Sequence, residues 1–276
     1  MYFDKEIISS RNNSFVKWAS SLADKKNRKT ERYFMAEGIK LTQEAFSAGL
    51  PVEFCVINEK KKDAVLDSLS EFFGHKKFAD CRIVTVTDNV FEKISTEKSP
   101  QGVISIIKYL DFFREMDIIY KEEFFLQPDE KAIFLHSVRD PSNLGAVIRS
   151  SVAFGTDHII LSDDCADIYN PKTVRSAMGS LYRVKVTVVS DTRSFIEAAR
   201  YNSRRVFAAE LTDSAVSLMD ADLTSSDIVM IGNEGHGIPV EVSAICDGSV
   251  YIPISKKTES LNASVAAAIF MWEQNK

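Results

Sequence analysis

From residue 131 onward the chain alternates short apolar runs with longer mixed stretches. The runs fall at 132–135, 158–161, 183–189, 205–209, 228–231 and 250–254, and most of the stretches between them have helical spacing. This rhythm predicts strands alternating with helices, hence an α/β fold built on a parallel sheet covered on both faces. Ligands of such sheets sit beyond the carboxyl ends of the strands, so the loops after Leu135, Ile231 and Ile254 are the places to look. Earlier in the chain, runs at 52–57, 83–86 and 103–107 alternate with helix-like stretches at 15–22 and 64–73, the pattern of a small α/β domain. Residues 111–130 mix Phe112, Phe113, Phe124 and Phe125 with many charges and lack a strand pattern. They read as a partly helical connector, giving domains at 1–110 and 131–276.

The first of the three loops leads into a segment with Asn143, Gly145, Arg149 and Gly155. Leu144, Val147, Ile148 and Ser151 follow helical spacing, Ser142 or Asn143 suits the start and Gly155 the stop. Arg149 falls off the apolar stripe, about 9 Å along the axis from Asn143. Taken alone, this segment reads equally as a capped helix with a surface arginine. The second loop places Gly232, Gly235 and Gly237 within six residues, which lets the backbone turn sharply and approach a ligand; Glu234 inside the turn has no evident folding role. Its spacing is not G-x-G-x-x-G, and no G-x-x-x-x-G-K-[ST] occurs, which argues against nicotinamide and P-loop enzymes. In the third loop Pro253 ends a strand, and Ser260 or Asn262 caps a terminal helix with Val265, Ile269 and Trp272 on its apolar positions.

Composition narrows the class. The 276 residues suit two domains, and no apolar stretch has the length of a signal peptide or membrane span. A cytoplasmic protein with no membrane association is expected. Cys55, Cys81, Cys165 and Cys246 stand singly, without C-x-x-C or histidine at ligand spacing, so they read as reduced core thiols and no metal is expected. The net charge of −5 is unevenly spread: residues 1–110 hold 18 Lys and Arg against 15 Asp and Glu, a net +3, which leaves −8 for the rest. Within residues 11–32, Arg11, Lys17, Lys25, Lys26, Arg28, Lys29 and Arg32 face only Asp24 and Glu31. That is a cationic patch fit for RNA phosphates on an acidic protein, or else a solvated helix face with its following loop.

At the three loops the chain resembles the SpoU, or TrmH, family of RNA ribose methyltransferases in the SPOUT superfamily. The matching stretches are N-x-G-x-x-x-R at 143–149, G-N-E-G-x-G at 232–237, and I-P-I followed by E-S-L-N-x-S-x-A at 252–266. Residues 170–180 look like the family's intervening R-x-x-x-G segment, with Ala177 where serine is common. The N-terminal part is similar to the family's substrate-binding domain, itself like ribosomal proteins that grip RNA turns, through residues 10–17, 36–38 and 99–103. Resemblance thus covers nearly the whole chain apart from the connector.

This resemblance implies a C-terminal SPOUT domain with a deep trefoil knot, S-adenosylmethionine as cofactor and methyl transfer to a ribose 2′-hydroxyl of structured RNA. It assigns cofactor contacts to Gly232, Ile252 and Leu261, where packing alone would also explain the last two. Arg149 takes the central role of activating the 2′-oxygen. A guanidinium with pKa above about 12 is a poor base, so stabilisation of the developing alkoxide is preferred, with deprotonation left open. Asn143, Glu234, Ser260 and Asn262 match the other polar positions that hold ribose, loop or cofactor. His236 stands where the family often has an acidic residue and receives no catalytic role. The resemblance further implies a homodimer, and a domain of this kind favours large-subunit ribosomal RNA over tRNA. The competing readings are a non-catalytic RNA-binding protein and a base-modifying SPOUT enzyme.

Overall fold

Most of the apolar runs become strands, because β-branched and aliphatic side chains pack well on a pleated surface. The computed structural model describes residues 2–3, 6–73, 81–116 and 124–276. In its first part β1 (Tyr2–Phe3), β2 (Tyr33–Glu37), β3 (Val52–Asn58), β4 (Arg82–Val86) and β5 (Val103–Lys108) form one mixed sheet in the order β1-β4-β3-β5-β2. Helices α1 (Ser14–Ser21), α2 (Lys25–Glu31), α3 (Ile39–Ser47), α4 (Lys62–Phe73) and α5 (Asp88–Ile94) accompany it. Val16, Ala19 and Leu22 near α1 and Val90, Phe91 and Ile94 of α5 share a core with Val56, Val84, Ile104 and Ile106 of the sheet.

The second part builds an eight-stranded sheet from β6 (Phe113–Met116), β7 (Ala132–Leu135), β8 (His158–Ser162), β9 (Lys185–Val189), β10 (Val206–Ala209), β11 (Val216–Ser217), β12 (Ile228–Ile231) and β13 (Gly248–Tyr251). Their order is β11-β13-β10-β12-β7-β8-β9-β6, and every pairing is parallel. The loops after β7, β12 and β13 therefore leave the same edge of the sheet, although 116 residues of sequence separate Leu135 from Tyr251. Helices α6 (Pro141–Phe154), α7 (Pro171–Ala177), α8 (Thr192–Tyr201), α9 (Val240–Ser243) and α10 (Ala263–Glu273) complete the chain. Phe195, Ile196, Ala198 and Ala199 of α8 pack on Phe134, Ile160, Val206 and Met230, while α6 and α10 pack against each other.

One expectation needs correction. Residues 113–116 of the expected connector form a strand, β6, paired with β9. Its sequence, Phe-Arg-Glu-Met, shows no alternation because the strand is an edge held by ladder hydrogen bonds with little buried surface. Residues 117–123 of that connector lie outside the described residues. Residues 167–182 pack with the first part of the chain. The chain divides into one unit of Met1–Leu110 with Asp167–Tyr182 and another of Asp111–Ala166 with Arg183–Lys276, whereas the sequence pattern kept 131–276 together. The cause is local: Tyr169 is buried, stacks on Tyr109 at 3.9 Å between ring centres, lies 4.7 Å from Phe34 and accepts the Leu110 amide proton.

No helix among the described residues is long and apolar enough to cross a membrane. Cys55, Cys81 and Cys165 are buried free thiols, and Cys246 is half-buried.

Candidate active site

The helix after the first loop starts two residues earlier than its sequence suggests. Asp140, not Ser142 or Asn143, caps α6 by accepting the Ser142 amide at 2.8 Å, with Pro141 at the first helical position. Asn143 is thus released from capping, and its side chain reaches across to the other two loops. Its Nδ2 donates to Glu234 Oε1 at 2.6 Å, and its Oδ1 accepts from Asn262 Nδ2 at 2.9 Å. Asn262 meanwhile caps α10, its own Oδ1 accepting the Ser264 amide at 2.9 Å. One hydrogen-bonded chain, Glu234–Asn143–Asn262, so ties together positions 119 residues apart.

The glycine loop closes on itself. Asn233 and Gly237 exchange backbone hydrogen bonds at 3.1 and 2.9 Å, and Asn233 Oδ1 accepts the amides of Gly235 and His236. A Cβ on Gly232 would lie 2.4 Å from the Gly237 carbonyl carbon, so glycine is demanded there by the loop's own backbone. Asn233 Nδ2 also donates to the Ser137 carbonyl at 2.8 Å, which joins the glycine loop to the loop after β7. Ser137, at φ 56, is held in its left-handed conformation by Ser162 and by Asp164, which also takes Arg139 at 2.7 Å. Burial alone would raise the Asp164 carboxyl. Hydrogen bonds from Arg139, Ser137 and Ser162 outweigh it and hold the group at about 2, so this clamp stays ionised at any working pH.

Beside these loops lies a cavity of about 410 Å³ lined by residues following β10, β12 and β13 and by the start of α10, a volume within the range of small-molecule sites. Gly232, Ile252 and Leu261, the three expected cofactor residues, all line it, as do Glu234 and Ser260. Asn143 and Asn262 stand next to it through Glu234. Arg149 is different: it is exposed on α6, does not line the cavity, and makes no hydrogen bond or ion pair among the described residues. His236 is exposed and leans on Asn233. Glu210, Leu211, Glu259 and Phe270 also line the cavity and were missed. The first two follow β10, which sits between β12 and β13, an order that periodicity along the chain does not reveal. Among the described residues no cluster of His, Cys, Asp and Glu could hold a metal ion.

Of the seven basic residues proposed for RNA, Arg11, Lys17, Lys25, Lys26, Lys29 and Arg32 are exposed. Arg28 is a correction. It is 1% exposed, pairs with Asp167 at 2.6 Å and donates to the carbonyls of Leu22 and Ala23, so its charge is consumed inside the first unit. Arg28→Ala is expected to cost about 3–5 kcal/mol, the usual effect of stranding a buried charge, as a lower urea midpoint. Lys26→Ala should leave that midpoint unchanged and instead weaken RNA binding and flatten its salt dependence.

Comparison with known proteins agrees with this geometry. Residues 130–272 match the SpoU rRNA Methylase family, and residues 13–105 match the MRM3-like substrate binding domain. The chain is 28% identical over 269 residues to the 23S rRNA (guanosine(2553)-2'-O)-methyltransferase RlmP of Bacillus subtilis, covering 97% of this chain and 98% of that protein. It is 26% identical over 272 residues to a 23S rRNA (uridine(2479)-2'-O)-methyltransferase of Streptomyces viridochromogenes, covering 96% and 90%. The crystal structure of an AdoMet-bound rRNA methyltransferase from Sinorhizobium meliloti superposes with a TM-score of 0.75 at 27% identity, over 98% of this chain and 97% of that one.

Proposed function

The chain belongs to the SpoU rRNA Methylase family, and from that membership we propose that it transfers the methyl group of S-adenosylmethionine to a ribose 2′-hydroxyl of large-subunit ribosomal RNA in the cytoplasm. The observation that carries this reading is the Glu234–Asn143–Asn262 chain at the edge of a cavity lined by Gly232, Ile252 and Leu261. The residues fit the donor: apolar Leu211, Ile252, Leu261 and Phe270 suit an adenine ring, and carboxylates on the same wall suit a cation. When bound, the sulfonium supplies an activated methyl group, and no metal is needed.

The protein's own groups then position and stabilise. Asn143 and Glu234 fix each other and leave the adjoining polar edge rigid for a sugar, so much of the acceleration comes from prepaid orientation. Arg149, which makes no hydrogen bond or ion pair among the described residues, takes the phosphate beside the target sugar and stabilises the developing alkoxide. The six exposed basic residues hold the RNA body.

A second copy of the chain completes the arrangement. Phe154, Val265, Ile269 and Trp272 line an open apolar groove along α6 and α10, with Val265 46% and Trp272 55% exposed. Arg149 directly precedes Ser150 of the same groove. A homodimer is expected by light scattering at micromolar concentration, and a monomer there overturns this part. The function itself is tested by mass-spectrometric mapping of ribose methylation in RNA from cells with and without the gene. One 2′-O-methyl group, seen as an alkali-resistant linkage, should vanish from large-subunit RNA. An unchanged ribose map, or loss of a base methyl group instead, overturns the reading.

A further inference from the structure

Among the described residues, three carboxylates and no cationic side chain line the cavity: Glu210, Glu234 and Glu259. Lys256 and Lys257 share the loop with Glu259 but stand outside the lining. Glu210 is the most firmly held of the three. It is half-buried, and its Oε1 accepts the hydroxyls of Ser243 and Ser249, the latter at 2.7 Å. Its Oε2 has no partner among the described residues. Glu234 gives one oxygen to Asn143, and Glu259 has no hydrogen-bond or ion-pair partner among the described residues. A carboxylate fixed before its ligand arrives needs little reorganisation on binding.

Such a wall distinguishes ligands by charge. In the proposed reaction the C–S bond breaks as the ribose oxygen forms its bond to the methyl carbon. The electron pair of the broken bond stays on sulfur, the hydroxyl proton leaves to solvent, and the sulfonium becomes the neutral thioether of S-adenosylhomocysteine. Donor and product otherwise share the adenine, the ribose and the amino-acid tail, so contacts to those parts cancel in the ratio of their affinities. What remains is the packing of one methyl group and the field of the wall on one positive charge.

We infer that Glu210, with Glu234 and Glu259, is a charge selector that favours the sulfonium donor over the thioether product and so speeds exchange of spent cofactor. The inference rests on the methyl-transfer reading above. It gives Glu210 a role distinct from the cofactor contacts expected of Gly232, Ile252 and Leu261.

Calorimetry on the full chain with S-adenosylmethionine, S-adenosylhomocysteine and sinefungin, in which a protonated amine replaces the sulfonium, tests it. The wild-type protein should bind both cationic probes about tenfold tighter than S-adenosylhomocysteine. Glu210→Gln keeps the acceptor for Ser243 and Ser249 and should weaken the cationic probes by about tenfold while changing S-adenosylhomocysteine by less than about twofold. Glu259→Gln, on an exposed residue whose loss cannot unfold the chain, should move the same ratio by about two- to threefold. An unchanged ratio in both variants, or equal wild-type affinity for donor and product, overturns the selector while leaving methyl transfer intact. Failure of the wild-type protein to bind any of the three, with RNA present, overturns the selector and the functional reading together.

Discussion

Arg149→Ala is expected to lower the single-turnover rate of methyl transfer by roughly 10²–10³-fold, the usual loss when one charged group aimed at a developing oxyanion is removed. Two features of the structure make the measurement clean. The side chain is exposed and makes no hydrogen bond or ion pair among the described residues, so its removal should leave the melting temperature unchanged. It does not line the cavity, so the affinity for S-adenosylmethionine should also stay constant. The defect then belongs to the step in which RNA and cofactor react. Arg149→Lys separates two roles. A planar, bidentate grip on phosphate and sugar oxygen is lost with an ammonium, and the lysine variant should recover little. Near-normal turnover would mean that a point charge is sufficient, and unchanged turnover in the alanine variant would remove Arg149 from the mechanism.

The second large effect falls on Gly232. A methyl group there would sit 2.4 Å from the Gly237 carbonyl carbon and 2.7 Å from the Ile238 amide nitrogen, contacts that only backbone movement relieves. Opening the loop breaks the Asn233–Gly237 pair, swings Glu234 away from Asn143 and displaces one wall of the cavity. Overpacking of this kind costs about 1–3 kcal/mol, so Gly232→Ala should weaken cofactor binding by roughly 10–100-fold in calorimetry. Gly235→Ala is the internal control. Its Cβ would meet nothing nearer than Asn233 Oδ1 at 3.5 Å, an ordinary contact, and binding should remain close to wild type. Equal behaviour of the two variants would show that the crowding at Gly232 does not shape the cavity.

Much of this site was legible in the chain because its signals are local. Three glycines in six residues announce a tight turn whatever surrounds them, and a glutamate inside that turn stands out because turns rarely need one. The alternation of apolar runs with helical spacing likewise depends only on neighbours, which is why six of the eight strands of the parallel sheet are found within two or three residues of their expected places. β6 and β11 escaped because short edge strands bury too little to impose a pattern. Arg28 was misjudged for a related reason: a lysine-rich stretch does not reveal which of its members turns inward to meet Asp167, 139 residues away.

The local features were therefore set by sequence alone: the strand periods, the glycine turn, the helix stops and the residue types proposed to handle a ribose and a cofactor. Tertiary structure decided what those residues do together. The parallel order of the sheet brings the loops after β7, β12 and β13 to one edge. Asp140 takes over the cap and frees Asn143 to join Glu234 and Asn262, and β10 between its neighbours adds Glu210 to the wall. Strand order and long-range partners follow from how buried faces pack against each other, and that information is spread over the whole chain.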